Sequence, residues 1–438
     1  MSLQPGGTRV RTAYCGFAVF GAFWGVWGAS VPAIREQAGL TDGELGTALL
    51  FVGAGALPAM LTAGRAVDRW GHRLTAFLLV LLGAVGVTVA VAARDLPSLS
   101  AGLALLGAAS GAADVAVNAA AGSAERAVGR PVITRAHGFF SAAVVVSSLA
   151  TGLLGGVAAP VVVPFALVAA AAAGAGLLIA ADARGHSAPF GRRGAAPGHG
   201  PRGRSVLRAY LPLLLVAGVL GALAFAVENA HQSWSAVYMA DTLRADPMLA
   251  AAGPAVFAAV VALTRFTAGS LGSGHAMAVL ILGAATAAGG TVLLASASSA
   301  PPALAGLALA AAGTAVLFPT LLGVVTADVP DSVRGAATSV VTTVSYLGFL
   351  AGPVYVGYWA QAAGLPGAML AVSVLAGALA LLTWPALRAA LPSTRPSPGG
   401  RASSEEIARG GHGGLAETDA PVVGRDAMVG QHPEVPEP

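Results

Sequence analysis

Apolar stretches of twenty or more residues recur about a dozen times along this 438-residue chain, each closed by a short charged or Gly/Pro-containing interruption. One such stretch is compatible with the buried helix of a soluble fold. Twelve are not, because each is long enough to cross the hydrocarbon core of a bilayer, about 20 residues at helical rise. Charge density points the same way: only 10% of residues are Asp, Glu, Lys or Arg, against roughly 25% in soluble domains. Too few charges remain to clothe a water-exposed surface. The pattern therefore predicts an all-α, polytopic membrane protein and excludes secreted, nucleic-acid-binding and cytosolic-enzyme classes.

The spans are predicted at 13–34, 43–64, 74–93, 97–122, 134–158, 160–181, 208–239, 247–269, 276–297, 301–326, 335–362 and 364–391. A polar Arg/Gly/Pro stretch at 182–207 divides them six and six. The expected organisation is an N-terminal tail (1–12), a six-helix bundle (13–181), a cytoplasmic linker (182–207), a second six-helix bundle (208–391) and a disordered tail (392–438). The Pro/Gly-rich, charged tail has no apolar period with which to build a core.

All 24 basic residues are arginine. Without lysine there is no phosphate-binding loop of the G-x-x-x-x-G-K type, so ATP-driven pumping by this chain alone is not expected. With the N-terminus inside, 21 of the 24 arginines fall on the cytoplasmic side and only Arg35, Arg94 and Arg244 outside. This bias predicts a cell-membrane protein with both termini cytoplasmic. Cys15 is the single cysteine and the eight histidines are scattered; no catalytic residue, cofactor or metal site is expected. One chain supplies all twelve helices, so a monomer is expected.

The loop between the second and third spans reads Gly64-Arg-Ala-Val-Asp68-Arg69-Trp-Gly71-His-Arg73. It resembles the signature loop of the major facilitator superfamily, G-x-x-x-D-R-x-G-x-[RK], at every anchor position. The resemblance implies the two-bundle fold, transport of a small-molecule solute through the bilayer, and a cytoplasmic gating loop of Gly64, Asp68, Arg69, Gly71 and Arg73. There Gly64 would allow close helix contact, Gly71 the tight turn, and Asp68 a releasable ion pair. The equivalent second-half loop, from Thr264-Arg265 through Gly269 to His275, keeps an arginine and lacks the acid. Asp114 and Asn118, Glu125-Arg126, His137-Gly138, Glu228 and Trp234 through Tyr238 resemble the MosC-like branch and, more distantly, fucose–proton symporters. In those symporters an acid followed four residues later by Asn takes the proton.

Asp114 and Glu228 are the two acids that these spans place well inside the bilayer. A carboxylate there costs at least ~2.5–3.5 kcal/mol and must face a polar cavity, pair or protonate. Asp114 and Asn118, four apart, share a helix face, where acid and amide could hold a proton and a solute hydroxyl side by side. Asp114 is the expected proton carrier, with an interhelical structural bond as the alternative. Glu228 is read as a second protonation site, a solute contact or a structural pair, and His137 as a proton relay or a loop cap. Asn229, Gln232 and Ser235 form a polar stripe with Glu228, and Trp24 adds a ring to the solute cavity. Trp27, Trp234 and Tyr238 are expected as interfacial anchors. The expected function is proton-coupled symport of a sugar- or polyol-like solute. The alternatives are proton-driven efflux of drugs or a metabolite and a non-transporting receptor or scaffold.

Overall fold

The computed structural model describes residues 5–185, 201–268, 275–327 and 329–390. The middle of the expected linker (186–200), the second-half loop 269–274 and the tail 392–438 lie outside the described residues. The helices are α1 (Pro5–Ala38), α2 (Asp42–Ala92), α3 (Leu96–Val128), α4 (Ile133–Gly156) and α5 (Val162–Gly185). They continue with α6 (Pro201–Val237), α7 (Pro247–Ala268), α8 (Ala276–Ser296), α9 (Ala300–Ala315), α10 (Leu317–Ala327) and α11 (Asp331–Ala390). Among the described residues, ten spans are long and apolar enough to cross a membrane, with α9 and α10 read together as one.

Two helices are far too long for a single crossing. At 51 and 60 residues, α2 and α11 would reach about 76 and 90 Å if straight, against a hydrocarbon core of about 30 Å. Each is broken by one glycine in a conformation closed to other residues: Gly71 (φ 50°, ψ −130°) and Gly364 (φ 72°, ψ 169°). A turn was expected near both positions. Around Gly71 it is much shorter than the 65–73 loop, because one glycine absorbs the whole change of direction. Helical geometry also runs into the stretch read as linker, to Gly185 and from Pro201. A proline in the first turn leaves no extra N–H unsatisfied there, and arginine is a good helix former.

Side chains close several helix ends. Thr41 and Glu44 form a reciprocal capping box at α2, with Thr41 N donating to Glu44 Oε2 at 2.9 Å and Glu44 N to Thr41 Oγ1 at 3.3 Å. Asp95 and Ser98 do the same for α3, where Ser98 N donates to Asp95 Oδ1 at 2.9 Å. Helix α3 ends on left-handed Gly129.

Lipid offers no hydrophobic drive for helix association, so close packing and interhelical hydrogen bonds must supply it. One device occurs twice. Ser148 on α4 donates to Gly25 O on α1 at 3.0 Å, and Ser345 on α11 donates to Gly218 O on α6 at 3.3 Å. The apolar core is not evenly distributed. One cluster unites α1–α5 with Val227–Val237 of α6 and the Tyr238 and Met239 that follow it, Ala250–Val261 of α7, Ala287 and Leu294 of α8, Ala303–Ala315 of α9 and Val356–Ala376 of α11. A second contains only later residues, among them Leu213–Ala224, Leu317–Val325 and Val333–Val341. First-half and second-half helices thus share a core toward the end that holds Arg35, while toward the end that holds Asp68 the second half has a core of its own.

Candidate solute and coupling site

Asp114 sits in mid-α3 on a stretch that is otherwise Ala, Gly and Val, and its side chain is half-buried. One turn on, Asn118 Nδ2 donates to Asp114 Oδ1 and to Asp114 O, both at 3.0 Å. The expected acid–amide pair is thus in contact. No cation pairs with Asp114 among the described residues. Tyr346 of α11 stands within Coulombic reach of the carboxyl and belongs to an aromatic group. Phe225 on α6 packs against Phe318 (centroids 4.4 Å apart) and edge-on against Tyr346 (5.7 Å), and Phe349 lies 6.1 Å from Tyr346. A first-half carboxyl therefore lies within electrostatic range of a second-half aromatic group. Those rings were not singled out from the sequence, where isolated Phe residues on apolar helices carry no signal.

Glu228 on α6 forms an ion pair. Arg265 Nη2 on α7 donates to its Oε1 at 3.1 Å, and Gln232 Nε2 donates to the same oxygen at 3.1 Å. Arg265 Nε also donates at 3.2 Å to Ala315 O, the last residue of α9, where the helix breaks. A cation at that point meets the negative end of the helix dipole and an orphan carbonyl. Sequence reasoning assigned Arg265 to a membrane-face loop and missed this role. The available signal was a lone basic residue inside the α7 apolar run together with an acid in need of a partner. Of the readings kept open for Glu228, a charge pair is the one realised in this geometry.

The polar stripe on α6 divides. Gln232 is exposed, whereas Ser235 is 3% exposed and packed against Gly253 of α7. Asn229 is buried, donating to Phe349 O at 2.6 Å and accepting from Ser233 Oγ at 3.1 Å. Ser235 and Asn229, expected in the solute cavity, are therefore packed between helices in this conformation. His231 turns the other way, with Nδ1 2.7 Å from Val227 O and Nε2 3.0 Å from Thr291 Oγ1. Trp24 is half-buried and meets Phe23 edge-on at 6.0 Å. Trp27, Trp234 and Tyr238, expected at the lipid interface, are instead core residues, and Tyr238 donates to Leu294 O at 2.7 Å. Their rings fill the shared core, which sequence position alone cannot separate from an interfacial belt.

His137 on α4 meets the Phe17 ring edge-on at 4.7 Å and lies within Coulombic reach of Arg265. In the signature loop, Asp68, Arg69 and Arg73 are exposed, and Arg69 lies 5.6 Å from the Trp70 ring centroid. Gly64 faces open space, so the close contact expected of it is not engaged in this conformation. No cluster of three or more metal-ligating side chains occurs among the described residues.

A family model described as Major Facilitator Superfamily matches residues 12–353 and, overlapping, 234–422. An uncharacterised MFS-type transporter of Yersinia pestis is 28% identical over 385 residues, covering 85% of this chain and 94% of that protein. Membrane protein MosC of Rhizobium meliloti is 26% identical over 359 residues, 81% of this chain and 84% of its own length. Among solved structures, nucleoside transporter NupG superposes with a TM-score of 0.68 at 12% identity, covering 87% of this chain and 99% of its own. A bacterial homologue of the human lysosomal transporter Spinster, inward-facing and unoccupied, does so with a TM-score of 0.66 at 15% identity, covering 91% and 100%. With a matching family model over most of its length and the same backbone architecture as these carriers, the chain belongs to the Major Facilitator Superfamily.

Proposed function

We propose that this chain is a proton-coupled secondary active transporter that carries a small hydroxylated solute, a sugar or polyol, through the cell membrane by alternating access. Its ten long spans become twelve crossings when α2 and α11 fold back at Gly71 and Gly364, and these form two six-helix bundles. The repeated Ser–Gly bond, α4 to α1 and α11 to α6, supports two halves of like construction. Arginine bias supports both termini lying in the cytoplasm. The end bearing Asp68 then faces the cytoplasm and the end bearing Arg35 faces outward. A core shared only at the Arg35 end is what a carrier open to the cytoplasm requires.

The observation that carries the coupling is Asp114: a carboxyl in mid-helix whose hydrogen-bond partner is a neutral amide. A proton is the simplest neutralising partner for such a group in low dielectric, and its arrival lets the site cross the membrane field uncharged. Asn118 then offers an amide to a solute hydroxyl, while the Phe225–Tyr346–Phe349 wall offers ring faces to the solute's C–H bonds. Glu228, already balanced by Arg265, is held for solute contact through Gln232. His137 stands at the cytoplasmic mouth.

Proteoliposomes test this reading. Asp114→Asn is expected to abolish uphill, pH-driven accumulation while retaining solute exchange down its gradient. Accumulation by the Asn variant at the wild-type level would refute the coupling role. Candidate solutes come from a thermal-shift screen of sugars and polyols, and absence of any flux for the hits would refute the transporter reading itself.

A further inference from the structure

The separate core of the second half, toward the Asp68 end, encloses space that no side chain fills. A cavity of about 400 Å³ lies between α6, α8, α10 and the end of α11, bounded by Leu213, Met277, Val325 and Leu387. Interiors are otherwise close-packed, with voids seldom larger than a water molecule. Water is a poor occupant here, because it needs several polar partners and these walls are hydrocarbon and thioether. An apolar cavity of about 150 Å³ is enough to hold benzene, so this one has room for a length of alkyl chain.

The cavity is not sealed. Leu213, Val325 and Leu387 are buried at its floor, whereas Trp384 and Arg388 are exposed at its rim. Leu381 and Leu382, just before the rim on α11, are exposed as well, which suits a surface turned to lipid. Trp384 and Arg388 stand one helical turn apart, and the guanidinium carbon lies 5.8 Å from the indole centroid. Among the described residues no carboxylate pairs with Arg388. Arg208, ahead of Leu213 on α6 and nearer the same end of that helix, is a second exposed cation. An indole at the rim, an uncommitted guanidinium beyond it and an apolar chamber behind match the interface, the phosphate and the acyl chain of a phospholipid.

We propose that this chamber is a binding site for an anionic phospholipid of the leaflet at the Asp68 end. One acyl chain lodges among Leu213, Met277 and Val325, and the phosphate sits on Arg388. A zwitterionic lipid offers the same phosphate but carries its own cation, so an arginine without an acid selects for net negative charge. Val324 and Val325 belong to α10, the segment below the break at Val316, and the lodged chain props that segment from behind. The site rests on the chain spanning a bilayer, and not on proton coupling, the solute or the direction of transport.

Native mass spectrometry of the full chain in detergent tests the site, with dioleoyl phosphatidylglycerol, dioleoyl phosphatidylcholine and glycerol 3-phosphate as probes. The wild type is expected to retain a first phosphatidylglycerol several-fold more than phosphatidylcholine, and to melt at a higher temperature in its presence. Arg388→Gln should bring the two lipids level. Val324→Phe puts a ring into the chamber and keeps the charge, and it should lower retention of both. Melting curves without lipid report whether each variant is folded; if Val324→Phe is not, Met277→Phe fills the same space from α8. A diazirine on the acyl chain of phosphatidylglycerol is expected to label the peptides that hold Leu213 or Met277. Equal retention of the two lipids by the wild type, an unchanged preference in Arg388→Gln, labelling confined to other helices, or full competition by glycerol 3-phosphate overturns the site. So does a chamber that takes neither lipid because residues 392–438 or a second copy of the chain already fills it.

Discussion

An ionised side chain within an apolar helix is tolerated only with a partner or a proton, and Glu228 and Asp114 meet that demand in opposite ways. Glu228 has a cation at 3.1 Å; Asp114 has an amide. Arg265→Gln should therefore leave a carboxylate without its balancing charge. Because the Arg265 side chain is 47% exposed, the loss is expected to lie between surface and buried pairs, about 1–3 kcal/mol. It is measured as a lower unfolding temperature in detergent, and Glu228→Gln/Arg265→Gln should recover part of the loss. Recovery that is absent would mean that the Arg265 bond to Ala315 O, and not the ion pair, carries the stability. The Asp114–Asn118 pair was legible in the sequence because residues four apart on a helix must share a face. The partner of Glu228 was not, since it depends on how α6 and α7 pack. The burial of Asn229 and Ser235 in this conformation was not legible for the same reason: periodicity identifies a stripe without saying which edge meets a neighbouring helix.

Individual elements are set largely by local chemistry, and their ends are where single substitutions should act. Gly71 occupies φ 50°, ψ −130°, a region essentially closed to residues with a Cβ, so Gly71→Ala should cost about 1–3 kcal/mol. A thermal melt of the purified variant reads that cost, and an unchanged melting temperature would show that the fold-back does not need this conformation. At the start of α3, the Ser98 hydroxyl and backbone N–H hold the Asp95 carboxyl below its usual range. A depressed folded-state value means the cap contributes fully above the ordinary carboxylate pKa and is lost as pH falls through the lowered one. Protection of the Ser98 amide against exchange, relative to its intrinsic rate at each pH, should accordingly fall on acidification in the native protein, and Asp95→Ala should remove that dependence. The long apolar runs and the breaks near 71 and 364 could be read from composition and glycine position. The division of 301–326 at Val316 has a local cause as well, which the span assignment passed over: Pro319 has no N–H to give to Ala315 O, the bond that would have carried the helix across.

Across the whole molecule, arginine distribution makes a prediction about sidedness. Alkaline phosphatase inserted at Ala158, in the turn between α4 and α5, should be active, whereas the same reporter fused after Ala390 should be inactive; the reverse pattern would invert the topology. What no sequence feature disclosed is the conformation, with the core continuous at one end only. Carriers of this kind cycle between states separated by a few kcal/mol, and residue pattern must serve every state at once. The rupture between α9 and α10 has a consequence on this scale. A rod missing one rung flexes there at little expense, and the Ala315 oxygen that would have held the rung is moored to Arg265, itself tethered to Glu228. Loss of the Glu228 charge is therefore expected to slacken the mooring and free α10 to pivot, a message written in charge and delivered as bending.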